Sequence, residues 1–122
     1  NRVKRNEMKA ENRIQQECVQ DFRNKYCRVG CVPRYCIFSV PNETKDMREL
    51  MTKKQTGLMA GASDLIIVGP GVVLFLECKD LNGKQSEGQK IFEEIVSELR
   101  HVYRVFRSLD EFNSIINEHL FV

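Results

Sequence analysis

The sequence predicts an α/β fold, a small mixed sheet of about four strands flanked by helices in the order α-β-β-β-α-β-α. Three observations predict it. A helical stripe opens the chain, an apolar hairpin occupies its middle, and a helix, a strand and a further helix close it. The chain has 122 residues, 42% apolar and 30% charged, which suits one domain over residues 1–122 built on one core.

The first helix is expected from Glu7 to about Tyr26, where Ile14, Cys18, Phe22 and Tyr26 recur every four residues and Val19 widens the stripe. Glu11 and Gln15 continue that stripe toward the N-terminus, so they face inward or toward a cleft. Gly30 and Pro33 mark a loop. Tyr35 to Val40 is β-branched and aromatic enough for a strand. Pro41 to Ala62 is a long polar segment with a short helix expected over Asp46 to Lys53, and Gly57 and Gly61 suit a close backbone approach.

Leu65 to Val68, the turn Gly69-Pro70-Gly71, and Val72 to Lys79 make a β-hairpin. Both arms are apolar on both faces, which places the hairpin centrally in a covered sheet. Asp80 to Gln85 reads as a turn. A second long helix is expected over Ser86 to Arg100, burying Ile91, Phe92, Ile95, Val96 and Leu99. A strand follows over His101 to Arg107. Ser108-x-x-Glu111 is a capping box that opens a last helix burying Leu109, Phe112, Ile115, Ile116 and Leu120.

Composition excludes more than it selects. Net charge is only +2, although Lys4, Arg5 and Lys9 cluster at the start and Lys45, Arg48, Lys53 and Lys54 share one segment that could neutralise phosphates. No apolar run approaches the roughly 20 residues needed to span a bilayer. The polar, basic opening Asn-Arg-Val-Lys-Arg-Asn is read as no signal peptide, and the missing initiator Met as trimming. The expected setting is cytoplasmic, without membrane or organic cofactor. There the five cysteines would be reduced. Cys27-x3-Cys31-x4-Cys36 lacks the paired spacing of a zinc site, so the cysteines are read as small hydrophobes.

The chemistry concentrates on the hairpin. With the turn centred on Pro70, Asp64 falls opposite about Leu76 and beside Glu77. Glu77 and Lys79 are two apart and leave one face of the strand together. Two adjacent carboxylates repel, and an apolar sheet sharpens the conflict. A divalent cation resolves it, since Mg²⁺ accepts one or two carboxylates and keeps several waters. A lysine alongside can orient water or neutralise charge in a phosphoryl transition state. The bland alternative is that Asp64 begins a strand as a turn residue while Glu77 and Lys79 pair at its end.

Gly61-Ala62-Ser63-Asp64-Leu65, the hairpin, and Glu77-Cys78-Lys79 together resemble the PD-(D/E)XK nuclease superfamily. More narrowly, the chain resembles a stand-alone VRR-NUC domain of the viral (phage) type. Glu11-x3-Gln15, Val40-Pro41-Asn42-Glu43, Gly57-Leu58-Met59-Ala60-Gly61, Gly83-Lys84-Gln85-Ser86-x2-Gln89 and Tyr103-Arg104-Val105 carry that likeness along nearly the whole chain. Ser63 departs from it, standing where the superfamily's name has proline.

The resemblance implies a Mg²⁺- or Mn²⁺-dependent endonuclease acting on DNA, duplex or branched, such as Holliday junctions, and working as a homodimer. It makes Asp64 and Glu77 metal ligands, joined by the Cys78 backbone carbonyl and, directly or through water, by Glu11. Lys79 becomes the catalytic lysine, and Gln89 supports the site. Gln15, Asn42, Lys45, Arg48, Lys53 and Lys54 are the candidate nucleic-acid contacts. Competing readings are a non-catalytic DNA-binding or recombination accessory module and a flap-type repair nuclease. Local roles compete as well: Ser86-x2-Gln89 is also a capping box, Glu11 also suits a first helical turn, and Asn42 and Glu43 also suit an Asx turn. His101 and His119 are read as structural or surface residues.

Overall fold

Among the described residues, the apolar periodicities settle into four helices and four strands. The computed structural model describes residues 2–41 and 46–121, with side chains from residue 10 onward. The elements are α1 (Arg2–Tyr26), β1 (Cys36–Ser39), α2 (Met47–Gln55), β2 (Leu65–Gly69), β3 (Val72–Cys78), α3 (Glu87–Glu98), β4 (Val102–Phe106) and α4 (Leu109–Leu120). One mixed sheet runs β1-β2-β3-β4. The first two pairings are antiparallel; β4 joins β3 in parallel after the α3 crossover. The hairpin is central, as its two apolar faces require.

Each sheet face has its own core. Leu65, Ile67, Leu74, Leu76 and Cys78 alternate onto one face and meet Cys18 and Phe22 of α1 and Phe112, Ile115 and Ile116 of α4. The Phe22 ring meets Tyr35 and Phe112 edge-on at 6.1 and 6.2 Å. Truncating such a buried aromatic to alanine costs about 3–5 kcal/mol. The opposite face carries a smaller cluster of Phe92, Val96 and Tyr103 against Ala62, Phe75 and Val105.

Several expectations are corrected. The α3 stripe is narrower than its sequence: Phe92 and Val96 are buried, while Ile91, Ile95 and Leu99 are exposed. This helix packs at β3 and β4, so only residues four apart point straight down onto the sheet. Helix α1 begins at Arg2 rather than Glu7, and β1 is confined to Cys36–Ser39, with Phe38 exposed and Tyr35 buried ahead of it. At α4 the Ser108 hydroxyl accepts from Glu111 N, but the Glu111 carboxylate reaches back to Arg107 N instead of closing a box on Ser108.

The hairpin register also moves by one. Gly69 pairs with Val72, leaving Pro70-Gly71 as the whole turn, with Gly71 at φ +70 in the left-handed region. Leu65 therefore faces Leu76, and the continued register sets Asp64 level with Glu77. The correction brings the two acids closer in register than the sequence suggested.

The thiol expectation is half right. All five cysteines are free; Cys18 and Cys78 are buried as small hydrophobes, but Cys27 and Cys31 are half-buried and Cys36 is exposed. Among the described residues, no helix is long and apolar enough to cross a membrane.

Candidate active site

Asp64 ends the segment that enters β2, and both its backbone and its side chain are tied down. Its carbonyl accepts from Val40 N at 2.9 Å, and its Oδ2 accepts from Cys78 N at 2.9 Å. The second bond crosses from one hairpin arm to the other and fixes the carboxylate against β3. Ser63, at the variable position before the acid, is buried, and its hydroxyl donates to the Leu65 carbonyl at 3.2 Å. Ser63 thus fixes the chain direction through a hydrogen bond, a task proline performs by its ring.

Glu77 is 2% exposed, an unusual place for a carboxylate. Its Oε2 accepts from Gln89 Nε2 at 2.9 Å and stands 3.8 Å from Lys79 Nζ. Its Oε1 is buried with no hydrogen-bond partner. Burial pushes the Glu77 pKa well above the usual carboxylate range, and the adjoining Asp64 carboxylate pushes it further; Lys79 pulls only partly the other way.

Gln89 reaches this position because it is the third residue of α3. The Ser86 hydroxyl accepts from Gln89 N at 3.2 Å, and Gln89 Oε1 accepts from Ser86 N at 2.8 Å, a reciprocal capping box. The cap role left open by sequence is filled by one end of the carboxamide, and the other end donates to Glu77. The start of α3 is in turn seated on Gly61, whose φ is +83; a Cβ there would lie 2.2 Å from the Gly88 carbonyl carbon and oxygen.

Glu11 approaches from α1. The Cys78 thiol donates to the Glu11 carbonyl at 3.4 Å, tying α1 to β3. Burial raises the Glu11 pKa, Lys79 and a backbone hydrogen bond at Asp80 lower it in part, and the charges of Asp64 and Asp80 add to the rise. Glu11 thus shares the electrostatic field of the pair. Among the described residues, however, no group of three or more His, Cys, Asp or Glu side chains is placed to hold a metal ion. The donor set is therefore two carboxylates, with the Cys78 backbone carbonyl adjoining them in sequence and Glu11 further out. That set suits a hard divalent cation that keeps several waters.

These groups line a cavity of about 490 Å³ that also takes in Asn12, Gln15, Ser39 and Ser86. Gln15 is therefore brought to the site. Arg48, Lys53 and Lys54 are not: they lie on α2, which buries no residue, and Lys53 pairs with Glu49 at 2.9 Å. Asn42, Glu43 and Lys45 fall outside the described residues. The histidines stand apart from the acids, His101 edge-on to Phe75 and His119 beside Arg104 and Glu118.

Two supporting residues were missed in the sequence. Asp80 is buried, its Oδ1 accepting from Asn82 N at 2.9 Å. Arg107 donates to the carbonyls of Asp80 and Gly83, holding the turn against which Glu11 packs. An Asp directly after Glu77-Cys78-Lys79 was the available signal for the first. The second had none, because its partners are backbone oxygens more than twenty residues away.

Neither a family model nor a curated protein matches this chain. Solved structures do. One described as "VRR_NUC domain protein" superposes with a TM-score of 0.72 at 22% identity, covering 92% of this chain and 88% of its own. A second, "VRR_NUC domain", gives 0.60 at 21%, covering 90% and 97%. The chain has the VRR-NUC fold. At these identities the likeness carries architecture, and the chemistry must be argued from the side chains. Within that architecture the Asp64–Glu77 pair sits at the open end of the hairpin, where β2 begins and β3 ends.

Proposed function

We propose that this chain is a metal-dependent endonuclease that hydrolyses DNA phosphodiester bonds. The observation that carries the reading is Glu77 Oε1, a buried carboxylate oxygen without a hydrogen-bond partner beside a second carboxylate, at the wall of an open cavity. A protein keeps such an atom at a cost of about 1–3 kcal/mol, and a cation satisfies it.

Asp64 and Glu77, with the Cys78 carbonyl, would hold Mg²⁺ or Mn²⁺, which would supply positive charge to the phosphate and acidity to a bound water. The remaining work belongs to the chain. Cys78 N locks the Asp64 carboxylate and Gln89 Nε2 locks that of Glu77. Lys79 Nζ, on the same strand face, donates to the phosphate oxygens as negative charge builds and holds the attacking water in line. Glu11 orients waters from the α1 side. The cavity admits a phosphodiester while the sheet excludes bulk water from behind it.

Branched DNA, a homodimer and a cytoplasmic setting belong to the same proposal. Two copies related by a two-fold axis would present paired sites suited to symmetric cleavage of two strands. The five free thiols fit a reducing compartment.

The test incubates the chain with flap, four-way-junction and duplex DNA in Mg²⁺ or Mn²⁺, beside Lys79→Ala. Metal-dependent cleavage lost in the variant is expected. No cleavage of any substrate with either metal, or equal cleavage by the variant, overturns the reading. Light scattering of the same sample reads the dimer.

A further inference from the structure

The catalytic cavity is one end of a longer groove. Beyond it lies a cavity of about 380 Å³, which shares Asn12, Gln15 and Ser39 with the first. Arg23 lines this second cavity and also a third of about 550 Å³. The three therefore lie in a row, the first two sharing a wall and the last two meeting at the Arg23 side chain. One wall is α1 and the other is the edge strand β1, and Arg23 Nη2 crosses between them to the Ile37 carbonyl at 3.4 Å.

The α1 wall is a single helical stripe. Asn12, Gln16, Val19, Arg23 and Cys27 recur at intervals of three and four, with Gln15 next to Gln16, beside the inward stripe of Ile14, Cys18 and Phe22. Its character changes along its length. Acidic groups line the catalytic end, carboxamides line the middle, and the guanidiniums of Arg23 and Arg34 line the far end. Among the described residues, no carboxylate lines the second or third cavity. An arginine fork with one bond to a carbonyl retains donors for a phosphate.

We propose that this groove carries a single-stranded segment of the nucleic acid, running from the cleaved phosphate to an anchoring site at Arg23 and Arg34. The identity of the scissile end rests on the nuclease reading; the strand-binding surface is argued from its own chemistry. Cavities of this size enclose one body of small-molecule dimensions each, which suits successive nucleotides and not a duplex. Carboxamides both donate and accept, matching the Watson–Crick base edges that only an unpaired strand exposes. Asn12 and Arg23 stand about 16 Å apart along the helix axis, a span that suits roughly one nucleotide per cavity.

The experiment measures anisotropy of a labelled twelve-nucleotide oligothymidylate and of a duplex of equal length, without divalent metal, across a salt series. The full chain is compared with Arg23→Gln/Arg34→Gln and with Arg34→Gln alone, thermal unfolding verifying that each variant is folded. The wild type is expected to prefer the single strand. The double variant should bind it at least tenfold more weakly, with a salt slope shallower by about 1.4, two phosphate contacts at ~0.7 each. Arg34→Gln should produce part of both effects.

In parallel, bound oligothymidylate should slow maleimide labelling of Cys36, an exposed thiol lining the arginine end, and leave that of Cys31 unchanged. Absence of single-strand binding, unchanged affinity and slope in a folded double variant, or equal protection of the two thiols overturns the groove. Cleavage of flap, four-way-junction and duplex DNA in Mg²⁺ or Mn²⁺ is scored separately. Cleavage without arginine-dependent strand binding leaves the nuclease reading and removes the groove, and the converse result removes the nuclease reading and leaves the groove.

Discussion

Gln89 spans from the first turn of α3 to Glu77, its Oε1 accepting from Ser86 N at 2.8 Å while its Nε2 donates to Glu77 Oε2 at 2.9 Å. One side chain therefore caps the helix and holds the carboxylate, and substitution can separate the two. Gln89→Glu keeps an acceptor for Ser86 N but loses the donor and adds a third negative charge. Its unfolding midpoint should stay within a few degrees of wild type in Mg²⁺ while cleavage falls at least tenfold. Gln89→Ala loses both bonds and should also unfold more easily, by about 1 kcal/mol. Equal activity of Gln89→Glu and wild type in a gel assay would mean that the Glu77 bond does nothing for catalysis.

Glu77 predicts an unusual pH dependence of stability. Its pKa in the folded chain is raised above 4.5, so folding favours the protonated form. Its stabilising contribution is complete below the unfolded value and is lost as pH rises from about 4.5 through the raised folded value. Metal-free protein should thus lose stability across that interval, and metal should restore it increasingly toward high pH, where the ionised pair binds it. Glu77→Gln removes the titration. Its carbonyl still accepts from Gln89 and its amide can donate to Asp64, so the metal-free variant should be more stable near pH 8 by about 1–3 kcal/mol. Denaturant titrations at several pH values in EDTA decide it; a flat wild-type profile would contradict the assignment.

Element types were legible because periodicity reports which face is buried. The apolar hairpin, the stripe of α1 and the two late helices all stand where their spacing placed them. What misled was geometry that periodicity does not contain. Ile91, Ile95 and Leu99 are apolar at helical spacing, yet the strands beneath α3 cover only Phe92 and Val96. Asp64 slipped one place because the sequence shows a Gly-Pro-Gly turn but not which two residues form its tip. The acids and the lysine were readable as a pattern on two strands. Arg107 was not, since it serves the site by holding backbone carbonyls that no sequence motif encodes.

On the proposed nuclease reading, Lys79 should serve the chemistry and not the binding of metal. It stands 3.8 Å from Glu77 Oε2, too long for a hydrogen bond and close enough for charge pairing. Lys79→Ala should leave metal binding intact or slightly stronger at low saturation, because a neighbouring cation has been removed. Cleavage should fall by about 10²–10³, the usual loss of one donor to a developing oxyanion. Calorimetric Mn²⁺ titration beside single-turnover cleavage separates the effects. Loss of metal affinity in step with activity would make Lys79 a support for the carboxylates and not a catalytic group.

Gly61 and Gly88 meet across one contact, yet alanine should have opposite effects at the two positions. At Gly61, φ is +83 and a new Cβ would stand 2.2 Å from the Gly88 carbonyl, so the backbone of α3 must move. The left-handed conformation alone costs about 1–2 kcal/mol, and the displaced helix start carries Gln89 away from Glu77. Gly61→Ala should therefore lower both stability and cleavage. At Gly88 a Cβ meets Gly61 Cα at 3.6 Å, an ordinary contact, with no positive φ to oppose it. Alanine is the better helix former by roughly 0.5–1 kcal/mol, so Gly88→Ala should be neutral to stabilising and remain active. Parallel unfolding and cleavage assays on the two variants test whether α3 is seated by this one-sided contact; similar losses from both would place the constraint elsewhere on the helix.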